Sequence, residues 1–239
     1  MLYIIYKVYF KYRKCTTEGG WNMLNRLFGN YLVEKKCITQ EQLEQLLPVP
    51  QDARAKMETI VLVRKILMPA QVQSLLEGLD EDEEFGKIAV KEGLISDDRL
   101  EQLTSFRKNS FMKFVQLLVN EDYIRLDQVN QIISSFETEY EYTDAQMNSL
   151  ILNDLEEIIR IFVPLKNRHL HELTVTFVQT LKSLIDKEVY LDKAYTSNAI
   201  QLDSYAGQVV NGDMNFKVYI SGLGDNLLGI ANYFTGDKY

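Results

Sequence analysis

The feature that most constrains this chain is a pattern of apolar residues that recurs four times between residues 24 and 136. The repeats begin at Phe28, Met57, Phe85 and Phe114, so that successive starts are 29, 28 and 29 residues apart. A fixed period of this size is typical of stacked helical units, none of which buries enough apolar surface to fold alone. The sequence therefore predicts an all-α helical-repeat domain.

The third repeat, Phe85 to Leu103, shows the pattern most clearly. Ala89 and Val90 supply an apolar face for a first helix, and a glycine at position 93 can take the left-handed conformation that ends it. Ser96 or Asp97 can cap a second helix. Each repeat is therefore predicted to be two short helices joined by a turn.

Composition limits the function classes. The chain has 239 residues and a net charge of −8, and phosphate recognition along nucleic acid needs a basic surface, so nonspecific nucleic-acid binding is not expected. Its two cysteines, Cys15 and Cys37, have neither metal-site nor disulfide-framework spacing, which suits a reducing cytoplasm. Residues 1–14 are too short and too charged to span a bilayer, although a basic, aromatic helix on a membrane surface stays open.

Residues 1–22 differ in composition from the rest. Glu18, Gly19 and Gly20 are the residues that a purine-rich ribosome-binding sequence in the messenger RNA would encode if it were translated. Met23 follows at a distance suitable for a start codon. We therefore interpret residues 1–22 as a non-native or disordered extension, with Met23 as the native start.

The second half of the chain predicts mixed structure. Residues 137–149 read as an acidic, aromatic linker between 23–136 and a domain at 150–239. Helices are predicted at 150–165 and 170–187. Asn211-Gly212 between two alternating stretches predicts a hairpin, and Gly222–Asp225 precedes a final helix. The expected class is α+β, with this domain incomplete.

Candidate chemical sites are few. His169 and His171 are two apart, so on a helix they face different directions and are not expected to share a metal. The acidic run Asp80–Glu84 reads as a solvated loop. Gly222-Leu223-Gly224 lacks the third glycine of a dinucleotide fingerprint. With no nucleophile–base pair, metal site or cofactor motif predicted, the chain reads as a binding or regulatory protein.

The repeats, over residues 26–136, resemble the N-terminal domain of secretion and pilus assembly ATPases of the GspE/PilB type (MshEN), whose units read "LGxxLVexGxITxxQLxxaL". Some members of that family bind cyclic di-GMP, which implies Gly86, Gly93 and Leu100 as candidate nucleotide-site residues here. The family's arginine positions hold Leu27 and Glu84. Without those arginines the unit loses groups that would pair with phosphate.

Residues 150–239 resemble the first half of a CheX-type chemotaxis phosphatase, through the helix ending at 184–189, the hairpin around 210–213 and the segment 227–236. The resemblance implies an incomplete α/β domain. The family's catalytic Glu-x-x-Asn helix would lie beyond Tyr239, so no catalytic residue is carried over and no phosphatase activity is expected of the chain as written. A truncated gene product would account for this.

The leading hypothesis is a cytoplasmic bacterial signalling protein, related to chemotaxis, in which a helical-repeat interaction module precedes the CheX-like segment. Its expected partner is a response regulator or another signalling protein, and exposed apolar surface would favour a homodimer. One alternative is a cyclic di-GMP sensor or interaction module of the GspE/PilB type. Another is a phosphatase whose site is completed by a partner.

Overall fold

The computed structural model describes residues 3–11, 22–79, 84–162, 168–184, 188–197, 205–210 and 216–221, with side chains described in 22–79, 84–162 and part of 168–184. The chain divides into two compact units. One unit is Thr16–Ile158, which we call the helical domain. The other combines Met1–Cys15 with Ile159–Tyr239.

Eight α-helices form the four repeats, two in each. They are α1 (Met23–Glu34), α2 (Gln40–Leu46), α3 (Met57–Val63), α4 (Pro69–Glu77), α5 (Phe85–Lys91), α6 (Asp97–Ser105), α7 (Ser110–Asn120) and α8 (Val129–Glu139). Short 3-10 helices at Phe106–Lys108 and Leu126–Gln128 precede α7 and α8. Three further helices follow: α9 (Asp144–Leu152), α10 (Leu155–Phe162) and α11 (Arg168–Leu184).

Each repeat turns at one residue in the left-handed backbone conformation. These residues are Lys36, Lys65, Gly93 and Asp122, with φ between 53° and 69°. In every turn the next amide donates to the carbonyl five residues earlier, at 2.8–3.0 Å, which satisfies a carbonyl at the end of the helix. The turns recur at the same 29, 28 and 29 residue spacing as the apolar pattern, so the sequence period corresponds to a repeated backbone structure.

The repeats do not pack in their sequence order. Helix α1 of repeat one packs on α7 of repeat four, and α7 packs on α3 of repeat two. Helix α3 also packs on α5 and α6 of repeat three. The main contacts therefore place the repeats in the order one, four, two, three, with α3 and α7 at the centre. Both central helices carry long buried runs, Thr59–Val63 and Phe111–Gln116.

An approximate two-fold relation accounts for this order. Repeats one and two correspond to repeats three and four with an offset of 57 residues, the sequence distance that separates Thr59 from Gln116. These two equivalent residues meet between α3 and α7, where the Thr59 hydroxyl donates to Gln116 Oε1 at 2.8 Å. A two-fold axis that passes between α3 and α7 brings equivalent residues of the two helices into contact. The contact between Thr59 and Gln116 is of this kind.

The predicted α+β class with an α/β CheX-like domain at 150–239 is wrong. All regular structure in 22–79 and 84–162 is helical. The described strands, β1 (Tyr3–Lys11), β2 (Glu188–Ser197), β3 (Tyr205–Val210) and β4 (Phe216–Ser221), form only two separate two-stranded antiparallel pairs, β1 with β2 and β3 with β4. An α/β domain needs neighbouring parallel strands joined by crossover helices, and no described strands have that arrangement.

Several sequence boundaries fall elsewhere in the structure. The segment predicted as a linker, 137–149, includes the end of α8 and the beginning of α9, and the helical domain continues to Ile158. The helix predicted over 150–165 is interrupted at Asn153, which has φ of 56°. Within the extension 1–22 the structure places β1. The final helix predicted after Asp225 lies outside the described residues.

Candidate binding groove

The candidate nucleotide-site residues Gly86 and Leu100 serve as a packing pair within repeat three. A Cβ atom added at Gly86 would lie 2.5 Å from Leu100 Cδ1, so the glycine lets α6 approach α5 closely. The same pair occurs in repeat one, where a Cβ at Gly29 would lie 2.2 Å from Leu43 Cδ1. Their positions in the repeat therefore have a structural explanation that involves no ligand.

The third candidate, Gly93, is the turn residue of repeat three. Its φ is 69°, and a Cβ added there would meet no atom within 4 Å. Because Lys36, Lys65 and Asp122 take the same conformation in the other repeats, glycine relieves backbone strain at this turn but is not required by close packing.

We expect Gly29→Ala to lower the free energy of unfolding by about 1–2 kcal/mol and Gly86→Ala to have little effect. Leu43 is fully buried and cannot move aside, whereas Leu100 is half-buried and can. Urea unfolding followed by circular dichroism measures both. Adding Leu43→Val to Gly29→Ala should recover stability, because valine stands at this position in repeats two and four. Equal losses for the two alanine variants would contradict the prediction.

One cavity in the part of the chain that the structure describes is an open groove between the beginning of α4 and the turn that follows α7. Its volume is about 770 Å³. Five apolar and four polar or charged residues line it: Pro69, Ala70, Gln73, Val119, Asp122, Ile124, Arg125, Leu126 and Asp127. We call these nine residues the groove.

The groove lies where the approximate two-fold relation brings equivalent residues together. Pro69 and Leu126 are offset by 57 residues, as are Ala70 and Asp127, and both pairs line it. Met68, next to Pro69, leaves 72% of its surface exposed. The groove is therefore built from two repeats that are distant in sequence, and no local motif could have identified it.

An ion pair forms part of the groove wall. Arg125 donates from Nε to Asp127 Oδ1 at 3.0 Å and from its NH2 nitrogen to Asp127 Oδ2 at 2.8 Å. This bidentate geometry holds both side chains in place at the surface. Ile124 also lines the groove and is only 3% exposed, so it is largely part of the apolar core.

A buried lysine that the sequence did not identify joins repeat four to the connection after repeat one. Lys113 is 8% exposed, and its Nζ donates to the carbonyls of Pro50 at 2.9 Å and Gln51 at 3.2 Å. Burial lowers the pKa of Lys113, and the nearby Arg54 charge lowers it further. Both carbonyl bonds favour a structural role for this ammonium group.

The described residues give no support to a metal site. No group of three or more His, Cys, Asp or Glu side chains there is arranged to hold a metal ion. The Nε2 atom of His171 is buried without a hydrogen-bond partner, and the side chain of His169 lies outside the described residues. Among the described helices, none combines the length and apolar character that crossing a bilayer requires.

Comparison with protein-family models, with curated proteins and with solved structures finds no match to this chain. The geometry of the groove is therefore the main guide to function.

Proposed function

We propose that the helical domain is a protein-binding module and that its groove receives a segment of a signalling partner. The observation that carries this proposal is the open cavity of about 770 Å³ at the junction of repeats two and four. Ligand sites commonly have volumes of roughly 300–1,000 Å³ and combine apolar walls with a few polar groups. The groove has both properties.

The lining favours an amphipathic segment. Pro69, Val119 and Leu126 offer apolar contact, while Asp122 and the Arg125–Asp127 pair offer polar contacts. A helix with an apolar stripe and charged flanks can satisfy both kinds of group in one groove. The exposed Met68 next to Pro69 would extend the apolar contact, because methionine adapts its shape to varied partners.

The proposed partner is a response regulator, and the proposed location is the bacterial cytoplasm. Both rest on the sequence resemblance of residues 150–239 to a chemotaxis protein and on the composition of the chain, and not on the α/β fold that the resemblance implied, which the described strands do not form. In this role the helical domain binds its partner and no chemical step is assigned to it.

The test is binding of the full chain to purified response regulators of the source organism, measured by biolayer interferometry. We expect Ala70→Trp to weaken binding at least ten-fold, because an indole would fill the groove. The matched control is Glu101→Trp, which adds the same side chain at an exposed position of α6. Equal affinity of the two variants for a regulator that the wild type binds would reject the groove as the binding site.

Calorimetric titration of the full chain with cyclic di-GMP tests the competing ligand. The cyclic di-GMP hypothesis assigns ligand contact to Gly86, Gly93 and Leu100. In the structure Gly86 packs on Leu100, and Gly93 is the turn residue of repeat three. Binding that Ala70→Trp leaves intact and Gly86→Ala abolishes would favour the nucleotide over the proposed protein partner.

A further inference from the structure

The groove carries an excess of negative charge. Its charged residues are two acids and one base, Asp122, Asp127 and Arg125. The base is already engaged, because Arg125 donates two hydrogen bonds to the carboxylate of Asp127. Asp122 is exposed, and no cation in the part of the chain that the structure describes pairs with it. The charge that the groove offers to a ligand is therefore that of the Asp122 carboxylate.

The two sequence segments that build the groove supply little positive charge. From Pro69, where α4 begins, to Glu84 the sequence has no lysine or arginine. From Phe114 to Glu139 its only basic residue is Arg125. Two helix ends of opposite partial charge also border the groove, the negative C-terminal end of α7 and the positive N-terminal end of α4. Because these partial charges oppose each other, the side chains decide the sign of the groove.

The turn after α7 holds Asp122 beside apolar surface. Asp122 is the left-handed residue of repeat four, with φ of 56°, and its amide donates to the Val119 carbonyl at 3.2 Å. The next amide, that of Tyr123, donates to the Leu118 carbonyl at 3.0 Å. Because the half-buried Val119 also lines the groove, the turn fixes the position of the acidic residue relative to an apolar wall.

We infer that the groove binds a basic amphipathic helix of its protein partner, with a lysine or arginine of that helix at Asp122 and its apolar side chains on Pro69, Val119 and Leu126. This inference rests on the proposed function and names the chemistry of the segment that the groove receives. Residues three or four apart share one face of a helix, so an apolar stripe and a neighbouring base can enter the groove together. An acidic segment would instead bring two like charges together, and an uncharged one would cover the carboxylate without a partner.

The experiment measures binding of the full chain to three labelled synthetic peptides by fluorescence anisotropy. The peptides share one helical pattern of leucines and carry lysine, glutamate or glutamine at every polar position. We expect the lysine peptide to bind about ten-fold more tightly than either of the others. This advantage should shrink at about 1 M salt, where the Debye length falls to about 3 Å and exposed charges are screened.

Charge reversal at the turn locates the contact. Asp122→Lys should weaken binding of the lysine peptide about five-fold or more, because a repulsion replaces an attraction. The backbone accepts this change, since Lys36 and Lys65 hold the equivalent left-handed positions in repeats one and two. The matched control is Gly93→Lys, which puts the same side chain at the turn of repeat three and should change binding by less than about two-fold. Circular dichroism should show both variants folded.

Two results would overturn the basic segment alone. One is binding of the lysine peptide no tighter than that of the glutamate and glutamine peptides, and the other is an equal loss in Asp122→Lys and Gly93→Lys. In either case Ala70→Trp would still weaken binding of the response regulator, and the proposed function would stand. Binding of both the lysine peptide and the regulator that Ala70→Trp leaves unchanged would reject the groove itself, and with it the proposed function.

Discussion

Replacing Phe136 by alanine should lower the free energy of unfolding of the helical domain by about 3–5 kcal/mol. The Phe136 ring is fully buried and meets the rings of Phe28 and Tyr31 edge-on, both at 5.3 Å between centroids. It also contacts Tyr140 and Tyr142 in the segment before α9. The substitution removes aromatic contacts that join repeat one to repeat four and leaves a cavity that rigid neighbours cannot fill.

The measurement is urea unfolding followed by the helical circular-dichroism signal. The control is Phe136→Leu, which keeps most of the side-chain volume. It should lower the free energy of unfolding by less than half as much as Phe136→Ala does. Burial raises the pKa of Tyr142 above the ordinary tyrosine value, so this hydroxyl stays protonated at the neutral pH of the measurement. A loss below about 1 kcal/mol for the alanine variant would mean that these rings do not hold the two repeats together.

The local part of the fold could be predicted from the sequence. Helix ends, turns and capping residues depend on neighbours within five residues, so the period of 29, 28 and 29 residues was visible without a structure. Thr39, for example, caps α2, and its side chain accepts from the Gln42 amide at 3.2 Å. The strands β3 and β4 likewise lie on the two sides of the Asn-Gly turn signal.

The packing order could not be predicted, because it depends on contacts between residues far apart in sequence. Residues Thr59–Val63 of α3 and Phe111–Gln116 of α7 are buried in continuous runs, so neither central helix keeps the one-sided apolar stripe of an outer helix. The repeat pattern itself does not say which of its helices become central.

The error in fold class has the same origin. Strand signals predict that segments are extended but do not say which strands become neighbours. β2 pairs antiparallel with β1, near the other end of the chain, with Tyr3 opposite Ser197 and Lys11 opposite Glu188. Such a partner cannot be inferred from the residues around 188–197 alone. The groove also combines distant segments, and for this reason no sequence motif predicted it.

The contact between α3 and α7 leads to the other large expected effect. Replacing Gln116 by leucine should lower the free energy of unfolding by about 2–4 kcal/mol. Gln116 Oε1 accepts from the Lys56 amide at 2.9 Å and from the Thr59 hydroxyl at 2.8 Å. Both donors lose their partner in the variant, and Thr59 is fully buried, so water cannot replace the lost bond.

A double-mutant cycle separates this effect from a change in packing. Adding Thr59→Val removes the unsatisfied hydroxyl and should recover about 1 kcal/mol, while the Lys56 amide stays unpaired. The matched surface control, Gln102→Leu, should change stability by less than about 0.5 kcal/mol. If the double variant were no more stable than Gln116→Leu alone, the Thr59–Gln116 bond would not be what joins the two halves at the two-fold axis.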